Sequence, residues 1–179
     1  AHRKRPRRVV GGPRPRSRPV SVAWHPPLDE LSLMGETAAR LGIEPDRRPP
    51  IARVAAAGRR VMLSALRWGA EPAEVLFLHG GGQNAHTWDS VAFRLGRPAL
   101  AVDLPGHGHS GWYDEPPYLP SDLAADLEPL VERTAPQVVV GMSMGGLATI
   151  ALAGRRPDLL RRVVLVDVSP GSTPDARRR

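Results

Sequence analysis

The stretch Gln137-Val138-Val139-Val140-Gly141-Met142-Ser143-Met144-Gly145-Gly146 carries the strongest structural signal in this chain. After Gln137, Val138 to Val140 form an apolar run without alternation, as in a strand covered on both faces. The small residues from Met144 to Ala153 continue it as a helix. Between them lies G-x-S-x-G in the strand-to-helix context that gives the pattern chemical meaning. A residue on so sharp a turn takes a strained backbone, and the residues two before and two after it need to be almost without side chains. Gly141 and Gly145 meet that need. The N–H groups opening the helix also favour an anion developing beside Ser143.

Upstream, Glu74 to Leu78 is a second run of this kind, and His79-Gly80-Gly81-Gly82 comes directly after it. Glycines at a strand exit let backbone N–H groups face a substrate oxygen with no side chain in the way. A third strand, Ala99 to Leu104, runs into Asp103-Leu104-Pro105-Gly106-His107-Gly108-His109-Ser110. Trp88, Val91, Ala92 and Leu95 have helical spacing, and so do Leu123, Leu127, Leu130 and Val131, which predicts a helix over 121–133 capped by Ser121. Arg162 to Val168 is the last strand. Buried strands alternating with helices predict a mostly parallel, doubly wound α/β sheet with right-handed crossovers and ligands at the carboxyl ends of its strands. Ile51 to Ala56 and Arg60 to Trp68 alternate around Gly58, which predicts an antiparallel N-terminal hairpin. Glu36 to Leu41, closed by Gly42, suits a short helix.

The three strand-exit segments together resemble the α/β-hydrolase superfamily, of the serine-nucleophile type, over about residues 51–170. The resemblance implies that Ser143 is the nucleophile and that the Met144 N–H is one oxyanion donor. Gly81 is the matching second donor, or Gly82 for an offset of one residue. Gly141, Gly145, His79 and Gly80 then shape the elbow and the loop beside it. D-x-P-G-x-G-x-S is a structural loop in that family, so His107 and His109 are expected to be loop residues rather than bases. Trp88 matches an aromatic often found after the oxyanion loop, but its helical spacing favours a core position. Serine at 143 argues against the family's haloalkane dehalogenases and epoxide hydrolases.

The triad of this family runs in the order Ser, acid, His. All six histidines (His2, His25, His79, His86, His107, His109) precede Ser143. Asp167 occupies the position where some members place the acid, and it also reads as a strand-end residue packing the loop to Ser169-Pro170. The resemblance therefore implies the N-terminal portion of such a fold, with the C-terminal strands, the lid and the base absent. The expected activity is hydrolysis of a carboxylic ester or related small acyl substrate through an acyl-enzyme on Ser143. Acyl transfer uses the same intermediate. A non-catalytic protein on the same scaffold is the alternative from a different class.

Composition limits the partners. The chain has 179 residues, 41% of them hydrophobic and 24% charged, which suits one globular domain. Its net charge of +7 resides at the ends. Residues 1–20 hold eight basic side chains and no acid, and residues 171–179 hold three arginines and one aspartate, leaving 14 basic and 17 acidic side chains in between. A folded body of that balance has no field for nucleic acid, and an Arg/Pro tail supplies only salt-sensitive phosphate contacts. The divisions expected are a disordered tail over 1–20, an irregular extension over 21–50, the core over 51–170 and a second disordered tail over 171–179. Zero cysteines exclude disulfides and thiolate chemistry. No clustered His/Asp/Glu set or dinucleotide glycine pattern supports a metal or organic cofactor. No run approaches the roughly 18 apolar residues of a membrane span, and the expected location is the cytoplasm.

Overall fold

The computed structural model describes residues 30–115 and 118–168. The expected tails over 1–20 and 171–179, and residues 21–29 of the expected extension, lie outside the described residues. Strands β1 (Ile51–Ala57) and β2 (Met62–Trp68) form the antiparallel hairpin, with Ile51 opposite Trp68 and Ala57 opposite Met62. The crossover strands β3 (Val75–Leu78), β4 (Ala99–Asp103), β5 (Val138–Met142) and β6 (Val163–Val166) complete a six-stranded sheet ordered β1-β2-β4-β3-β5-β6. The β3–β4, β3–β5 and β5–β6 pairs are parallel, whereas β2–β4 is antiparallel. This is the architecture read from the sequence. Helices α3 (Pro120–Thr134) and α4 (Met144–Arg155) cover one face, where Leu76, Leu78, Leu100 and Val102 meet Leu127, Leu130, Ala148 and Leu152. Helices α1 (Ser32–Arg40) and α2 (Asp89–Leu95) cover the other, over Leu66, Trp68, Phe77 and Ala101.

β3 and β4 are buried along their whole length, because helices cover both faces. β6 differs from the buried strand predicted. Among the described residues it pairs with β5 alone, and Val163, Val164 and Val166 are exposed. α2 also departs from its expected face: its buried residues are Ala92 and Phe93, while Val91 and Leu95 face out. The cause is a short 3₁₀ turn over Ala85–Trp88, which keeps Trp88 out of the α-helix and shifts the helical phase of residues 89–95. Trp88 is a core residue, stacked on Phe77 with ring centroids 4.9 Å apart. Ser121 does not cap α3. The helix begins one residue earlier, at Pro120, and Asp122 Oδ2 accepts the Leu119 N–H at 3.3 Å. Within 30–50, the short helix expected over 36–41 is α1, which starts four residues earlier and buries Met34 and Ala38 in the α2-side core.

Candidate active site

β5 delivers Ser143 to a turn with φ 44° and ψ −110°, a left-handed conformation that costs a non-glycine residue about 1–3 kcal/mol. Two backbone hydrogen bonds hold it there: Ser143 N–H donates to Val166 O at 2.9 Å, and Ser143 O accepts from Leu147 N–H at 2.9 Å. The flanking glycines are required by close approach. A Cβ at Gly141 would stand 2.6 Å from Thr149 Oγ1 and 2.7 Å from Gly145 O. One at Gly145 would stand 2.5 Å from Leu78 O and 2.7 Å from His79 O. The first turn of α4 therefore rests directly on the exit of β3, and Gly145 N–H donates to His79 O at 3.0 Å. The Ser143 hydroxyl has no hydrogen-bond partner among the described residues.

The glycine run beside it sorts its own donors. Gly80 N–H donates to Gln83 Oε1 at 2.9 Å, and Gly82 N–H donates to His107 Nε2 at 3.2 Å. Gly81 N–H and Met144 N–H make no hydrogen bond among the described residues. The loop lies against the elbow: a Cβ at Gly80 would be 3.5 Å from Ser143 Cβ, and one at Gly81 would be 4.0 Å from Met144 Sδ. Of these four backbone donors, Gly81 N–H and Met144 N–H are the two without a partner among the described residues.

Neither nearby histidine has a nitrogen free to act as a base. His79 is fully buried, its Nε2 accepts the Leu104 N–H at 2.9 Å, and its Nδ1 therefore carries the proton donated to Gly80 O at 2.7 Å. Burial pushes this imidazole below its ordinary pKa, so it stays neutral. His107 uses Nε2 to accept from Gly82 and Nδ1 to donate to Pro105 O at 3.1 Å. Both rings brace the strand exits.

A buried charge network that sequence reasoning missed supports these loops from below. Asp103, fully buried at the end of β4, accepts from Ala85 N–H at 2.7 Å, His109 N–H at 3.0 Å and Arg53 Nη1 at 2.8 Å. Arg53, on β1, also pairs with Glu30, whose carboxylate reaches His86 Nε2 at 3.0 Å. The hydrogen bond from Arg53 outweighs burial and holds the Glu30 carboxyl down to about 2. Burial opposes protonation of His86, but its hydrogen bonds to Asp89 and Glu30 prevail and raise its pKa. The aspartate that opens D-x-P-G was visible in the sequence as a loop signal. Its pairing with Arg53 becomes visible only through sheet register. Asp167 comes directly after β6 at φ 53°, one residue beyond the carbonyl that receives the Ser143 N–H. Its carboxylate is exposed and has no partner among the described residues.

The profile of the alpha/beta hydrolase family matches residues 75–179, more than half of the chain. The chain belongs to that family. Among family members it is 50% identical over 147 residues to esterase Rv0045c of Mycobacterium tuberculosis, a match covering 81% of this chain and 48% of that protein. It is 40% identical over 95 residues to a pimeloyl-[acyl-carrier protein] methyl ester esterase of Neisseria meningitidis, covering 51% of this chain and 35% of the relative. A crystal structure of the M. tuberculosis esterase superposes with a TM-score of 0.73 at 49% identity, over 81% of this chain and 49% of that one. The chain thus spans about half the length of that hydrolase and less of the other.

Proposed function

We propose that this chain carries the nucleophile and oxyanion machinery of an ester hydrolase, with Ser143 as the nucleophile. The observation that carries the reading is the elbow itself: a left-handed serine with an unengaged hydroxyl, flanked by two backbone N–H groups without partners among the described residues. Ser143 Oγ attacks the acyl carbon of a small carboxylic ester, and its proton passes to a base. The carbonyl oxygen becomes an oxyanion held by the N–H groups of Gly81 and Met144, and collapse expels the alcohol. Water then releases the carboxylic acid and regenerates the serine. Gly82 is set aside as a donor because its N–H is spent on His107.

The base comes from outside these 179 residues. His79 and His107 are fully engaged, and no histidine comes after Ser143. Asp167 is our candidate for the carboxylate that orients such a base, supported by its position one residue beyond the carbonyl that accepts the Ser143 N–H. The names of the similar proteins, an esterase and a methyl ester esterase, support the ester class. The test is hydrolysis of p-nitrophenyl butyrate by the chain and by its Ser143→Ala variant. Equal rates support an external base, and a rate that Ser143→Ala abolishes refutes it.

A further inference from the structure

A cavity lies at the opposite rim of the sheet from Ser143. β2 directs Leu63 and Ala65 into the α3-side core, and the next residue on that face is Arg67. Arg67 stands opposite Leu100, near the start of β4, whereas Ser143 sits just past the far end of β5. An arginine where a core residue would continue leaves the last turn of α3 without a surface to close on. The result is a cavity of about 490 Å³ between β1, β2 and α3. That size falls within the range of about 300–1,000 Å³ usual for small-molecule sites.

The lining states the chemistry. Val54, Ala56, Leu100 and Leu130 form apolar walls, and Arg67 of β2 and Arg133 of α3 complete the lining. Glu71 Oε1 pairs with Arg67 Nη1 at 2.7 Å, which neutralises one of the two cations. Arg133 makes no ion pair among the described residues, and Arg67 Nε is buried without a hydrogen-bond partner. One positive charge therefore stays uncompensated above an apolar floor. A guanidinium matches a carboxylate in shape and offers paired N–H donors.

We infer that this cavity binds a monoanionic carboxylate with an unbranched apolar chain, its head on Arg133 and Arg67 and its tail along Val54, Leu100 and Leu130. The site is separate from the elbow and does not depend on the function proposed for Ser143. The probe is octanoate, titrated into the 179-residue protein by calorimetry, with octanol and octylamine as neutral and cationic controls. The expected result is saturable binding of one equivalent that weakens about tenfold or more in Arg133→Glu, is unchanged in Ser143→Ala, and is at least about tenfold tighter than either control. Arg133 is exposed, so its substitution leaves the core intact, and an unchanged far-ultraviolet dichroism spectrum confirms this. Absence of saturable binding below about 10 mM, binding indifferent to Arg133→Glu, binding lost in Ser143→Ala, or octanol binding as well as octanoate each overturns the assignment.

Discussion

Replacing Gly145 by alanine sets two effects of opposite sign against each other. Gly145 lies in the first turn of α4, and helix propensity alone makes alanine more stable than glycine by about 1 kcal/mol. The packing says otherwise. The new methyl would stand 2.5 Å from Leu78 O, 2.7 Å from His79 O and 2.7 Å from Leu78 C, all backbone atoms at the end of a strand paired on both sides. No side chain can rotate away, so α4 has to lift from β3 and stretch the Gly145–His79 hydrogen bond. Overpacking of this kind costs about 1–3 kcal/mol, and the loss of a buried backbone hydrogen bond adds about 1 kcal/mol. The sum exceeds the propensity gain, and a net destabilisation of about 1–3 kcal/mol is expected. Gly154 supplies the control on the same helix, because a Cβ there meets nothing within 4 Å. Gly154→Ala is expected to stabilise by about 0.5–1 kcal/mol. Equilibrium urea unfolding followed by tryptophan fluorescence measures both midpoints. If Gly145→Ala raises the midpoint as Gly154→Ala does, the close contact between α4 and the β3 exit is not real, and the physical reason for G-x-S-x-G falls with it.

Asp103→Ala is expected to cost about 3–5 kcal/mol in the same assay, since it leaves the half-buried Arg53 charge without its buried partner and frees the amides of Ala85 and His109. A loss below about 1 kcal/mol would contradict the hub assigned to it. Stability should fall as pH drops from about 4.5 toward 2, because the Glu30 carboxyl is held down to about 2 when folded and has the ordinary value of 4.5 when unfolded. In Glu30→Gln that acid-side slope should be shallower. His86 has the opposite sign: its raised pKa gives stability that is complete below 6.5 and is lost as pH rises through its folded value. His86→Gln should remove that alkaline loss, and an unchanged profile would refute the Glu30–His86–Asp89 linkage.

The parts of this fold that were legible in the sequence are those where one local rule decides. Unalternating apolar runs marked β3, β4 and β5, because strands covered on both faces need no polar side. Gly141 and Gly145 marked the elbow, because only a missing side chain lets strand and helix pass at that distance. Phase and pairing were less legible. The 3₁₀ turn before α2 rotated its buried face away from Val91 and Leu95, and an apolar run could not say that β6 has a strand on one side only among the described residues. At the site, the sequence left Gly81 and Gly82 as alternatives. The contact that distinguishes their amides comes from a residue 25 positions away, His107, whose ring accepts the Gly82 N–H. The Arg53–Asp103 pair was invisible for the same reason, since only the register of β1 on β2 and β2 on β4 brings residues 50 positions apart into contact.

Acylation of Ser143 in the presence of an added base is the decisive measurement for the proposal that Ser143 is a nucleophile whose base lies outside these residues. The chain is treated with p-nitrophenyl acetate at increasing imidazole concentration, and the adduct is located by peptide mass spectrometry. The prediction is an acetyl group on Ser143 whose rate of formation rises with imidazole, with none at that peptide in Ser143→Ala. Acetylation confined to other residues, or a Ser143 adduct whose rate ignores imidazole, would contradict a poised nucleophile that takes its base from outside these residues.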